Sequence, residues 1–187
     1  EANESSRKWF EKADELLGFS LSEIMFEGTE EDLKQTKVTQ PAVFLNSFIR
    51  FKLNQQQLQP TAVAGHSLGE FTALIANGVL SFDDGLILIS KRAMAMQEAC
   101  DATEGTMAAI LGLDFDTVAE IATQSANGDV CSAANDNSEG QVVISGHKEA
   151  VERAIALANE RGARKAVILP VSAPFHCALM SPAAEAM

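Results

Sequence analysis

The sequence lacks the features that mark membrane, secreted and nucleic-acid-binding proteins. No apolar run approaches the roughly 20 residues a helix needs to cross a bilayer. The longest, Gly85 to Ser90, is cut by Lys91 and Arg92. No signal-like apolar stretch opens the chain, which starts E-A-N-E-S-S without a methionine. Cysteine is scarce: Cys100, Cys131 and Cys177 are an odd number with no C-x-x-C spacing. That excludes a disulfide framework and a zinc site and is the pattern of a reduced compartment. Only 14 lysines and arginines stand against 26 aspartates and glutamates, a formal net charge of −12. Such a surface repels phosphate backbones, so nucleic acid is not an expected partner. The expectation is a soluble, cytoplasmic chain that binds no membrane.

What is present is an ordinary globular composition, 47% hydrophobic and 21% charged over 187 residues. Helical spacing of apolar residues runs from Trp9 to Leu17 and stops at Gly18, and Ser20 or Ser22 opens a short helix. T-E-E-D-L-K is an acidic first turn, and Thr39-Gln40-Pro41 leads into an apolar helix. Thr61 to Ala64 is expected to be a short strand, followed by a helix from Leu68 to Ala76 and a long helix from Ser81 or Asp83 to Cys100. After Gly105 the order becomes β-α-β-β-α-β, the split βαβ order of a ferredoxin-like unit. The fold class expected is therefore α/β, a core with a parallel sheet interrupted by a small inserted unit. The core takes residues 1–104 and 173–187 and the insert 105–172. Both ends are expected to be cuts inside a longer protein, because M-S-P-A-A-E-A-M announces a helix and stops about one turn in.

The stretch T-A-V-A-G-H-S-L-G-E, Thr61 to Glu70, holds a G-x-S-x-G pattern after an apolar run and before a helical one. That is the strand–turn–helix setting of a nucleophile elbow. Gly65 and Gly69 would let strand and helix approach closely, and the amide of Leu68 is the natural oxyanion donor. The alternative is a βα turn with an incidental serine. A serine nucleophile needs a base, and the chain has three histidines. His66 adjoins the serine on a turn whose side chains diverge, and His147 opens a helix at the surface of the insert. His176 lies at the seam where the insert returns to the core, where clefts form. It remains by elimination, against the general tendency of a single histidine to be structural. Arg92 shares its helix face with Leu88, Ala95 and Met96, so it either meets an anion or snorkels to the surface.

G-H-S-L-G-E at Gly65 to Glu70, K-R-A-M-A-M-Q at Lys91 to Gln97 and V-S-A-P-F-H at Val171 to His176 occur in that order, and T-Q-P-A-V-F precedes them. Together, over essentially the whole chain, they resemble the malonyl-CoA:acyl carrier protein transacylases of fatty acid synthesis. The resemblance implies an α/β-hydrolase-like core with a ferredoxin-like subdomain. It also implies ping-pong transfer of a malonyl group from malonyl-CoA to the phosphopantetheine thiol of acyl carrier protein. Ser67 would be the nucleophile, His176 the base, Leu68 an oxyanion donor through its N–H, and Arg92 the holder of the malonyl carboxylate. Gly65 and His66 would line the substrate site. CoA and pantetheine thioesters enter as substrates, so neither cofactor nor metal is implied, and a monomer is expected.

Two elements of that family fall outside this sequence: a G-Q-G-S-Q loop with a second oxyanion donor, and a later segment that orients the histidine. Loss of one oxyanion donor costs about 100–1000-fold in rate, so one alternative for this chain by itself is an impaired fragment that keeps the fold. A serine esterase or thioesterase is the other enzymatic alternative, but the acids between Ser67 and His176, such as Asp129 and Asp136, fall in the insert. A non-catalytic docking module for acyl carrier protein is a third. Arg161 to Lys165, and Arg50 with Lys52, are the candidate basic docking patches.

Overall fold

The computed structural model describes residues 4–58, 60–171 and 173–187. The chain divides into two compact units, residues 1–94 and 95–187.

Among its described residues, unit 1 is helical. Helix α1 (Glu4–Leu17) ends at Gly18, whose φ of 74° is the left-handed cap that the sequence spacing suggested. Helices α2 (Leu21–Glu27) and α3 (Glu30–Lys34) follow; α3 is opened by a capping box between Thr29 and Asp32. Helix α4 (Thr36–Asn54) begins earlier than the sequence reading placed it. Pro41, read as the residue before a helix, lies inside α4. Proline there removes the N–H that would bond the carbonyl of Lys37, a residue exposed to solvent. Water can satisfy that carbonyl, which is why the helix runs through. Helices α5 (Gly69–Ala76) and α6 (Phe82–Asp101) complete the set, the division between the units falling within α6. The core of unit 1 joins Leu21, Phe44, Phe48, Phe82, Leu86 and Ile89. Trp9 meets Phe48 edge-on at 4.8 Å and Phe82 at 4.9 Å between ring centroids.

The strand expected at Thr61–Ala64 is not formed. The segment is irregular, every residue of it is exposed, and Val63 is 38% exposed. A strand exists only with hydrogen-bonded neighbours, and among the described residues unit 1 holds none. The parallel sheet expected there is therefore absent from the described residues. Beside the segment lies an open cleft of about 450 Å³ lined by Phe51, Val63, Gly65, Gly69 and Ala73.

Unit 2 carries the sheet. Strand β1 (Gly105–Leu111), helix α7 (Phe115–Ala126), strands β2 (Cys131–Ser138) and β3 (Gln141–His147), helix α8 (Lys148–Glu160) and strand β4 (Lys165–Ile168) follow in turn. This is the β-α-β-β-α-β order read from the sequence. The strands are antiparallel throughout, in the order β2-β3-β1-β4. Alternation along β1 and β3 sends Ala108, Ile110, Val142 and Ile144 to the side covered by α7 and α8, where they meet Val118, Ile121 and Val151. Met107, Ala109 and Val143 face the other way, towards Leu169, Val171 and Phe175. His147, expected to be a solvated surface residue, is instead partly buried; its Nδ1 accepts from the Val130 amide at 2.9 Å. A 3₁₀ turn (Ala178–Met180) and helix α9 (Ser181–Glu185) close the chain, α9 beginning at Ser181 with Met180 as its N-cap rather than Ser181. No helix of the described residues is long and apolar enough to cross a membrane.

Candidate active site

Ser67 stands on a turn built by its neighbours. Its φ is 51°, in the left-handed region that a residue with a Cβ seldom enters. The turn is closed by Gly69 N–H donating to the His66 carbonyl at 2.9 Å and Glu70 N–H to the Ser67 carbonyl at 3.1 Å. Gly65 makes this possible. A Cβ on it would lie 2.0 Å from the Gly69 carbonyl carbon and 2.3 Å from the Glu70 nitrogen. The incoming chain thus crosses directly over the first residues of α5. Gly69 was expected to be small for the same reason, yet a Cβ there meets nothing within 4 Å. The close approach depends on Gly65, and Gly69 supplies the backbone it approaches. His66 and Gly65 are exposed and Ser67 and Leu68 half-buried. Among the described residues the Leu68 amide donates to no protein group, so it is available to an oxygen placed against the turn.

Arg92 reaches this turn from α6. It is half-buried, between exposed Lys91 and buried Ala93, and burial pushes its guanidinium below its ordinary value. Of the two alternatives left open by the helix pattern, snorkelling to the surface is not what the side chain does. Its Nη2 donates to Ser67 Oγ at 3.0 Å, and its Nη1 donates to Gln40 Oε1. A fixed cation therefore lies against a serine hydroxyl on a strained turn, in a half-buried setting where charge is weakly screened. Gln40, in T-Q-P-A-V-F, has no role that the sequence pattern predicts, because that pattern opens the helix only after Pro41. Inside α4, residue 40 faces inward beside buried Pro41.

His176 belongs to unit 2. It is exposed, with φ 60°. Its neighbours hold it there. Pro174 packs on Gly105, where a Cβ would come within 2.5 Å of the proline ring. Phe175 packs with Met96 and Met180, and the Cys177 thiol donates to the Pro174 carbonyl at 3.1 Å. The turn is thus determined on both sides of a residue that pays a conformational cost. Asn127, at φ 47°, is the other non-glycine residue in this region among those described, and it has a local reason: it caps the C-terminus of α7. Neither Ser67 nor His176 caps a helix C-terminus, and strain without such a reason is a pointer to function. No group of three or more His, Cys, Asp or Glu among the described residues is arranged to hold a metal ion.

The candidate basic patches differ in how free they are. Arg161 is committed to Gln124 Oε1 at 3.2 Å and to Glu120 at 3.7 Å. Lys52 lies over the Phe48 and Phe51 rings and donates to Gln55. Arg164 and Lys165 are exposed and make no ion pair among the described residues.

Comparison with known proteins identifies a family. Residues 3–187 match the family model described as an acyl transferase domain. The malonyl CoA-acyl carrier protein transacylase of Escherichia coli (strain K12) is 47% identical over 178 residues, covering 94% of this chain and 58% of that protein. The crystal structure of acyl-carrier-protein S-malonyltransferase from Burkholderia pseudomallei 1710b superposes with a TM-score of 0.92 at 42% identity, covering 96% of this chain and 59% of that one. A type II PKS acyl-carrier protein in complex with its malonyl-transacylase also matches, with a TM-score of 0.92, 41% identity, and 96% and 59% covered. The chain spans less than two thirds of the length of these relatives.

Proposed function

The chain belongs to the acyl transferase domain family, and from that premise we propose that the whole protein moves a malonyl group from malonyl-CoA to the phosphopantetheine thiol of acyl carrier protein. The observation that carries this reading is the 3.0 Å contact between the Arg92 guanidinium and Ser67 Oγ. An esterase for neutral acyl groups has no use for a cation on its nucleophile. A carboxylate-bearing acyl group does: its carboxylate stands within a few bonds of Oγ once the ester has formed, and a guanidinium matches a carboxylate in two-point fashion.

In the reaction, Ser67 Oγ attacks the thioester carbonyl while His176 takes the hydroxyl proton. The oxyanion that develops is met by the Leu68 amide. The tetrahedral species expels CoA as a thiol, which leaves with the proton held by His176, and malonyl-Ser67 remains. The pantetheine thiol of the carrier protein then attacks that ester, giving its proton to His176, which returns it to Ser67 as the thioester leaves. Arg92 holds the malonyl carboxylate through both halves, with Gly65 and His66 lining the substrate site. CoA and pantetheine are substrates in this scheme, and neither a metal nor a bound cofactor takes part. The protein acts as a monomer in the cytoplasm.

The finer architecture forms part of the proposal. Residues 1–104 and 173–187 contribute to an α/β-hydrolase-like core, in which Thr61–Ala64 becomes a strand of a parallel sheet. The apolar side chains of Ala62 to Ala64, on a backbone that pairs with no strand among the described residues and lies beside a cleft, support this. Residues 105–172 form a ferredoxin-like subdomain, supported by the β-α-β-β-α-β order and the β2-β3-β1-β4 sheet.

The test is Arg92→Ala in the whole protein. Malonyl transfer should fall about 100-fold, the scale of removing one partner of a desolvated charge pair, while acetyl-CoA gains in relative use. Malonyl transfer that survives intact would remove Arg92 from the role.

A further inference from the structure

Arg92 does not hold its position alone. Gln40, on α4 and half-buried beside Pro41, accepts from Arg92 Nη1, while Arg92 Nη2 donates to Ser67. Three elements therefore converge on one planar group: α4 through Gln40, α6 through Arg92 and the turn before α5 through Ser67. A guanidinium has five N–H donors in a fixed plane, so tying one terminal nitrogen sets the direction of the other. Without a tie, the long arginine side chain has several rotamers among which to distribute that nitrogen. The chemistry of the tie also counts. An amide oxygen binds a cation through a charge-assisted hydrogen bond yet brings no charge of its own. A carboxylate at the same place would neutralise Arg92 and compete with any anionic acyl group for it.

We infer that Gln40 is a positioning and specificity-determining residue: its side-chain oxygen aims Arg92 at the acyl group on Ser67, and its neutrality reserves the arginine's charge for an acidic acyl chain. The inference rests on the transferase reading above and assigns the selectivity of that site to a pair of residues rather than to Arg92 alone.

The experiment follows acylation of the whole protein by intact mass after brief mixing with malonyl-CoA or acetyl-CoA, over a range of concentrations. It compares wild type, Gln40→Glu and Gln40→Met, and records thermal melting of each. Gln40→Glu keeps the shape and reach of glutamine and adds a charge. It should raise the malonyl-CoA concentration for half-maximal rate about tenfold or more, the factor a hydrogen bond to a charged group carries, and lower the malonyl-to-acetyl ratio by a similar factor. Gln40→Met keeps the length, loses the oxygen and adds no charge. Its malonyl concentration dependence should shift in the same direction, with acetyl transfer close to wild type. A merely structural glutamine would instead lower both substrates together, in step with the melting temperature. If wild type acquires malonyl and both variants keep its malonyl-to-acetyl ratio, the inference falls and the transferase reading stands. If wild type acquires no malonyl group, both fall.

Discussion

Ser67 and His176 occupy backbone conformations that glycine would adopt more cheaply, at φ 51° and 60°, and each is held there by neighbours with little freedom to move. For Ser67 the decisive neighbour is Gly65. The two glycines of G-H-S-L-G look equivalent in the sequence, but the space around them is not. Alanine at 65 would drive a Cβ to 2.0 Å from the backbone of Gly69, whereas alanine at 69 would meet nothing within 4 Å. Gly65→Ala should therefore abolish the turn, seen as loss of Ser67 acylation with a lowered melting temperature. Gly69→Ala, at the first position of α5, should be neutral or stabilising by about 0.4–1 kcal/mol, because alanine loses less chain entropy on folding. Equal melting temperatures for the two variants would contradict this account of the turn. The serine and its oxyanion-side neighbour could be named from their motif, and the arginine could be named only through the family resemblance, since its helix face leaves an anion and the surface open. Gln40 could not. An amide gives no periodicity or charge signal, and its partner lies 52 positions away.

At the scale of elements, the helices were the legible part. Amphipathic spacing, helped by start and stop residues at some ends, fixed most of them to within a few residues, and the helix expected from Leu68 to Ala76 is found at Gly69–Ala76. The sheet of unit 2 was legible because β1, β3 and β4 carry short apolar runs bounded by turn residues, and β2 carries one at its start. Two elements differ from expectation among the described residues, each for a physical reason. Pro41 normally marks a boundary, but on α4 its missing N–H faces an exposed carbonyl position. Thr61–Ala64 has strand composition, yet pairing is a property of neighbours, and no local pattern reports whether they are there. The helical unit is held instead by its aromatic cluster, in which Phe48 from α4 lies 4.5 Å from Phe82 of α6 and 4.8 Å from Trp9 of α1. Phe48→Ala should cost about 3–5 kcal/mol in chemical denaturation, the range for a buried phenylalanine whose cavity cannot collapse. A loss under about 1 kcal/mol would mean that this cluster does not join those three helices.

At the scale of the whole chain, the net charge of −12 over these 187 residues gives no general attraction for an acidic partner, so the carrier-protein docking proposed above would rest on a local patch. Arg164 and Lys165, at the start of β4, are exposed and not engaged in ion pairs among the described residues, while Arg161 is already held by Glu120 and Gln124. Reversing the charge at Arg164 and Lys165 should raise the KM for acyl carrier protein about tenfold, with kcat and the KM for malonyl-CoA unchanged. An unchanged KM for the carrier would remove this patch. The central claim, however, is covalent: Ser67 takes up a malonyl group beside Arg92. The most direct measurement is the intact mass of the whole protein seconds after mixing with malonyl-CoA, alongside its Ser67→Ala variant. A gain of one malonyl group on the first and none on the second is the result expected. An adduct that persists in Ser67→Ala, or none on either protein, would contradict the assignment.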